Sequence, residues 1–247
     1  MSEERWTERD AEWYDELAAD MFDPAVVQPA VDFLARLAGG GAALELGIGT
    51  GRLALPLARR GVRVHGIDIS APMVARLRAK PGGEDIGVTL GSFATRRVDG
   101  LFSVAYLAWN AITNLTTQDE QVACFENAAA HLEPGGFLVA EVDVPALRRL
   151  PPGETARPFH VGPARLGFSE YDTVAQIEVS HHFWKVGATF EASSAPYRYV
   201  WPSELDLMAR LAGMRLHERW GGWTREPFTG DSTLHVSVWQ KPAPGSG

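Results

Sequence analysis

The sequence predicts an α/β fold built on an open, mostly parallel sheet, and three observations carry that prediction. Short apolar runs alternate with helical stretches through the first part of the chain, the order that βαβ units require. The run Ala42 to Leu46 breaks at Gly47, Gly49 and Gly51, and Arg52 to Arg60 then read as a helix closed by Gly61: buried strand, tight turn, helix start. A second apolar run, Val62 to Ser70, sets an acidic residue, Asp68, at the carboxyl end of its strand.

The glycine spacing narrows the ligand. A dinucleotide fingerprint reads G-x-G-x-x-G, whereas Glu45, Gly47, Gly49 and Gly51 read E-x-G-x-G-x-G. Such a loop lets the backbone turn sharply and lets a ligand lie against it with no Cβ in the way. This string, with Asp68 following, resembles motif I of the class I S-adenosylmethionine (SAM)-dependent methyltransferases and its companion acidic residue. The resemblance covers about Trp13 to Lys241. It implies a Rossmann-like fold in one domain, residues 1–247, with a seven-stranded, mostly parallel sheet and an antiparallel closing pair. It also implies SAM as cofactor, with Glu45 near the methionine amino group and Asp68 accepting from the ribose hydroxyls.

Taken in order, residues 7–21 read as an amphipathic helix with Trp13, Leu17 and Met21 on one stripe. By the resemblance, the Tyr14-Asp15 pair belongs to a helical lid (residues 1–38) that folds over the pocket, where Tyr14 would reach the methionine end of the cofactor or the acceptor and is a candidate catalytic residue; equally, Trp13 and Tyr14 anchor the helix. Pro24 to Ala38 form a second helix, stopped by Gly39-Gly40-Gly41. After the Asp68 strand, Ser70 caps a helix with Pro72 in its first turn. Met73 matches a family position packed against adenine, with ordinary helix-to-sheet packing as the other account. Val88 to Phe93 make a third strand and its exit, where the family usually has an acidic residue after the glycine; here it is Ser92, so either Ser92 and the local backbone recognise the adenine or that contact is weaker, and Phe93 is placed to stack on the ring. The resemblance thus implies a cofactor set of Tyr14, Glu45, Gly47, Gly49, Gly51, Arg52, Asp68, Ile69, Met73, Ser92, Phe93 and Leu107.

Leu101 to Leu107 form a fourth strand, whose carboxyl end is where ligands sit in such sheets. Trp109, Asn110 and Asn114 are therefore candidates for the acceptor pocket, with core packing as the other account of Trp109. Thr117 and Glu120 make a capping box for a helix to Leu132. Pro134-Gly135-Gly136 then turn the chain into a fifth strand, Phe137 to Val142. The prolines and glycines of 151–163 read as a linker-like loop. Beyond it, Leu166 to Val186 and Thr189 to Val200 alternate as β-structure, a flap (151–200) inserted after strand five. A helix from Pro202 to Gly213 and two strands, Arg215 to Trp220 and Leu234 to Gln240, complete the sheet.

Composition excludes several functions. The net charge is −8, from 23 Lys+Arg against 31 Asp+Glu, with no basic run, so the chain is ill suited to gripping nucleic acid. The Asn/Asp-Pro-Pro-aromatic string of DNA amino-methylases, which would follow strand four, is absent. A single cysteine, Cys124, rules out an internal disulfide. No run approaches the roughly 18 apolar residues of a membrane span, and no leader is evident, so a cytoplasmic protein is expected. His181-His182 are too compact for a metal site, and none is expected. Within the flap, Gln176, Glu178, Ser180, His182 and Trp184 share one strand face. If that face arches over the pocket, His182 or His181 is a candidate base and Trp184 an acceptor contact; otherwise the pair is solvated or structural. The function this predicts is methyl transfer from SAM to nitrogen or oxygen of a small molecule, an amine or amino sugar of secondary metabolism included. A non-catalytic SAM-binding protein and a nicotinamide-dependent oxidoreductase are the rivals, and the sequence leaves monomer and homo-oligomer both open.

Overall fold

A computed structural model describes residues 8–243 and 245, apart from the side chains of residues 9, 10, 13 and 17. The packing expected of Trp13 and Leu17, and the start of the first helix at Thr7, lie outside the described residues.

The central sheet has seven strands in the order β10-β11-β5-β4-β1-β2-β3. These are β1 (Ala42–Leu46), β2 (Arg63–Asp68), β3 (Gly87–Leu90), β4 (Phe102–Leu107), β5 (Leu132–Asp143), β10 (Arg215–Trp220) and β11 (Leu234–Gln240). Strands β1 to β5 pair in parallel, and β11 runs against both β5 and β10. Strand order reverses between β1 and β4, the point at which a parallel sheet opens a crevice at its carboxyl edge.

Helices cover both faces. On one side α5 (Gln118–His131) and α6 (Pro202–Leu211) bury Phe125, Leu205 and Met208 against Leu44, Leu138 and Trp239. On the other, α2 (Pro24–Ala38) seats Val31, Phe33 and Leu34 on Val104, Tyr106 and Val139. Helix starts follow the expected chemistry. Ser70 Oγ accepts from Met73 N–H at the start of α4 (Ala71–Arg78), and Thr117 and Glu120 form the reciprocal capping box of α5. Cys124 is fully buried in α5, and burial raises its thiol well above the ordinary range, so it stays protonated.

Besides β5, which begins at Leu132 rather than at Phe137 and so includes Pro134-Gly135-Gly136, three boundaries differ from expectation. Helix α3 spans only Ala54–Arg59, because the turn through Gly51 (φ +83°) delays it. The N-terminal helix α1 (Glu8–Leu17) gives way to a separate 3-10 turn, Ala19–Phe22. The third difference is the flap. It is a four-stranded antiparallel sheet, β6 (Ala156–Val161), β7 (Arg165–Asp172), β8 (Ile177–Val186) and β9 (Thr189–Arg198), so part of the stretch read as linker is a strand. Pro158 is tolerated there because β6 is an edge strand, bulged beside that residue.

One buried group ties the fold to pH. His235 on β11 is fully buried and its pKa is pushed down to about 4, chiefly by burial and then by Arg219. The unfolded chain therefore binds this proton while the folded one does not, and stability falls as pH drops through about 6.5 toward 4. The loss from this residue is about 3 kcal/mol. In urea unfolding at pH 7 and pH 4, His235→Asn is expected to lose less stability than the wild type; equal losses would show that His235 is not the source.

Candidate active site

The carboxyl ends of β1, β2, β4 and β5 open into one cavity of about 820 Å³, walled on its far side by the flap. The glycine loop is built for close approach to a ligand. Gly49 has φ +53° and no atom within 4 Å of the place a Cβ would occupy. Its N–H donates to Asp68 Oδ2 at 2.7 Å, and Ser70 N–H donates to Asp68 Oδ1 at 2.8 Å. These bonds fix the carboxylate at the end of β2 and leave it lone pairs for hydroxyls. Burial raises the Asp68 pKa, opposed by the backbone N–H groups of Ser70, Gly49 and Ile69. A Cβ on Gly66 would fall 2.3 Å from Ile48, so the loop packs against β2 at a residue that has no side chain.

Glu45 is buried at the end of β1 and accepts from Tyr106 Oη at 2.9 Å. Desolvation pushes its pKa up to about 8, against the pull of the Tyr106 hydroxyl and Arg52. A buried carboxyl of this kind favours a cationic partner in the cavity.

The N-terminal helix is tied to this loop. Thr50 Oγ1 donates to Asp15 Oδ1 at 2.6 Å, while Lys80 Nζ pairs with Asp15 and donates to the Thr50 carbonyl at 2.9 Å. Tyr14 lies with its ring 5.9 Å from that of Trp109, whose other neighbour is the Arg52 guanidinium at 5.4 Å from the ring centre. Burial raises the Tyr14 pKa, so the phenol stays protonated.

Beyond β4 the chain is strained. Trp109 (φ +48°) and Asn110 (φ +59°) are consecutive non-glycine residues in the left-handed region, a conformation costing about 1–3 kcal/mol each. Strand β5 holds them in it. Glu141 Oε2 accepts from Trp109 N–H at 2.7 Å, Asn110 Nδ2 donates to Asp143 Oδ2 at 2.9 Å, and Asp143 N–H donates to Asn110 Oδ1 at 2.7 Å. Asp143 faces the cavity with its other carboxylate oxygen accepting nothing among the described residues. Desolvation by the surrounding cavity raises its pKa, offset by Asn110, although the side chain stays open to solvent.

Of the residues predicted from sequence, Tyr14, Glu45, Gly47, Gly49, Arg52, Asp68, Ile69, Met73, Phe93, Trp109, Asn110, Asn114 and His182 line this cavity. Five predicted residues do not. Leu107 is fully buried in the core, and Gly51 is packed under Leu77, where a Cβ would come within 2.8 Å. Ser92 Oγ turns back to accept from Ala94 N–H. His181 points to the opposite face of β8, stacked on Phe168 at 4.6 Å and bonded to Ser194. Trp184 shares the His182 face, stacked on that ring at 5.2 Å.

His182 is engaged at both ring nitrogens. Arg165 can only donate, so Nδ1 accepts from it at 3.0 Å, and the ring proton sits on Nε2 toward Ser180 Oγ at 3.0 Å. Burial, then Arg165 and His181, lowers its pKa. To act as a base it would first have to release Arg165. Glu178, from the His182 strand face, lines the cavity too, and residues not anticipated from sequence complete the wall: Asp143, Arg148, Arg149, Arg157 and three tyrosines, Tyr171, Tyr197 and Tyr199. Asp143 alone had a readable sign, as an acidic residue at the carboxyl end of a central strand.

If Asp68 holds the cofactor, Asp68→Ala is expected to weaken SAM binding by about 1.5–3 kcal/mol, the range for hydrogen bonds to a charged group. Calorimetry on the folded variant reads this, and unchanged affinity would contradict it.

A family model described as a methyltransferase domain matches residues 43–136. Over 216 residues, 81% of this chain and 93% of the relative, the sequence is 31% identical to an uncharacterized methyltransferase of Geobacillus kaustophilus (strain HTA426). It is 28% identical over 242 residues, 92% of this chain and 97% of the relative, to the cypemycin N-terminal methyltransferase of a Streptomyces species. Among solved structures, the CcbJ methyltransferase from Streptomyces caelestis matches with a TM-score of 0.81 at 37% identity, covering 92% of this chain and 96% of that one. These likenesses set aside the nicotinamide and non-catalytic readings, and they agree with the glycine loop, the Asp68 strand end and the order of the sheet. The chain belongs to the class I SAM-dependent methyltransferase family.

Proposed function

We propose that the protein methylates an amine nitrogen of a small molecule, an amino compound of bacterial secondary metabolism. The observation that carries this reading is Asp143, a carboxylate facing the cavity beside Trp109 and Asn110, with one oxygen held by Asn110 and the other open. Such a group binds an ammonium and can take up its proton, after which a neutral amine needs no strong base. The engagement of both His182 nitrogens favours an amine over a hydroxyl, whose activation would need one. Also in support, one of the relatives is named an N-terminal methyltransferase.

The residues fit the cofactor the family uses. The open backbone at Gly49 would lie beneath it, Asp68 would accept from the ribose hydroxyls, Glu45 would face the methionine amino group, and Met73 and Phe93 would flank the base. Bound there, SAM supplies a methyl group on a sulfonium that needs no further activation. What remains for the protein is placement. Tyr14 and Trp109 close the site to water, Asn110 and Asp143 fix the amine, and Asn114 and His182 shape the space behind it. Positioning of this kind is worth ~7–11 kcal/mol in favourable cases.

The test is turnover with SAM and matched pairs of acceptors that differ only in carrying an amine or a hydroxyl, with the methylated atom identified by NMR. Methyl transfer to nitrogen is expected; transfer confined to oxygen would contradict the reading.

A further inference from the structure

The flap end of the cavity holds charge that the proposed reaction does not use. The chain as a whole is acidic, with a net charge of −8, yet Arg148, Arg149 and Arg157 all line this cavity. Arg148 spends a donor on the Gly230 carbonyl. Arg149, from the 3-10 turn Ala146–Arg149 after β5, and Arg157, from β6, have no ion-pair or hydrogen-bond partner among the described residues. Two of the carboxylates that line the cavity are held by uncharged donors, Asp143 by Asn110 and Glu178 by the Ser169 hydroxyl. They do not neutralise the guanidiniums at contact distance. Arg157 nonetheless acts on its surroundings, drawing down the pKa of the Tyr171 phenol that burial pushes up to about 12.

Two unpaired guanidiniums on different elements, facing one cavity, form a receptor for a planar or tetrahedral oxyanion, which arginine binds through paired N–H donors. Asp143 lines the same cavity with the opposite charge. We propose that the acceptor carries an oxyanion, a carboxylate or a phosphate, in addition to its amine, and that Arg149 and Arg157 receive this group while Asp143 receives the amine. The inference rests on the amine reading. It makes the substrate dipolar and sets its orientation: the oxyanion end lies toward the flap and the nitrogen toward Trp109. Arg149 and Arg157 are then specificity-determining residues, taking no part in the bond that forms or breaks.

The test uses the protein loaded with S-adenosylhomocysteine, so that binding is read whether or not a compound is turned over. Amines are compared as pairs: a carboxylate against its neutral amide, and a phosphate against its parent alcohol. The wild type is expected to prefer one of the two anionic series by at least about tenfold in Kd, and which series it prefers identifies the oxyanion. In Arg149→Gln and Arg157→Gln that ratio is expected to fall toward one, with S-adenosylhomocysteine still bound as the sign of a folded protein. A ratio near one in every wild-type pair, or a ratio that survives both substitutions, overturns the proposal. The two readings separate in a parallel turnover experiment. If hydroxy acids are methylated on oxygen with the same anionic preference, the amine reading fails and the oxyanion site stands. If amines are methylated with no preference, the oxyanion site fails alone.

Discussion

Asp143→Asn is expected to lower kcat/KM for an amine acceptor by about 10²-fold or more, with the SAM dissociation constant held within about twofold. The substitution keeps the size and the bond to Asn110, since an asparagine oxygen can still accept from Asn110 Nδ2. It removes the cavity-lining carboxylate beside the strained Trp109–Asn110 turn that would attract an ammonium, and with it a site for the proton the amine must lose. A fall confined to KM would assign Asp143 to binding alone; a fall in kcat as well adds the proton. Near wild-type kinetics would remove Asp143 from the site and with it the main support for an amine.

Deleting residues 1–18 is expected to leave the sheet folded by circular dichroism and to reduce turnover by a comparable or larger factor. Helix α2, which packs on β4, is retained in this variant, so the core keeps its cover. What goes is Tyr14 over Trp109, and Asp15, which joins Thr50 and Lys80. Lids of this kind exclude water and complete the site, so their loss appears in kcat and KM together. An undiminished rate would mean that Tyr14 and Asp15 serve packing only.

The readable parts of this protein were those in which function is a local property of the backbone. Gly47, Gly49 and Gly51 after an apolar run specify a turn, Asp68 marks a strand end, and Ser70, Thr117 and Glu120 announce helix starts, because each acts within a few residues of itself. The acceptor side is assembled differently. Asp143, Arg149 and Arg157 come from a strand end, a 3-10 turn and a flap strand, and no spacing predicts that they share a cavity. Alternation correctly grouped His182 with Glu178, Ser180 and Trp184, yet Trp184 misses the cavity because β8 carries it one pleat, about 7 Å, beyond His182. The partner that occupies His182 lies on β7, where Arg165 pairs opposite Trp184, a relation set by hairpin register. Strand β6 was hidden by its proline, which reads as a loop in sequence and is harmless on an edge. Strain at Trp109 and Asn110 left no trace either, since the hydrogen bonds that hold it come from β5.

The most direct test of the account is a crystal structure with S-adenosylhomocysteine bound. The ribose hydroxyls are predicted within hydrogen-bond distance of the Asp68 carboxylate, the homocysteine amino group on the Glu45 side, and the sulfur facing the space between Tyr14, Trp109 and Asp143. A product seated away from the glycine loop, or with its sulfur turned from Asp143, would contradict it.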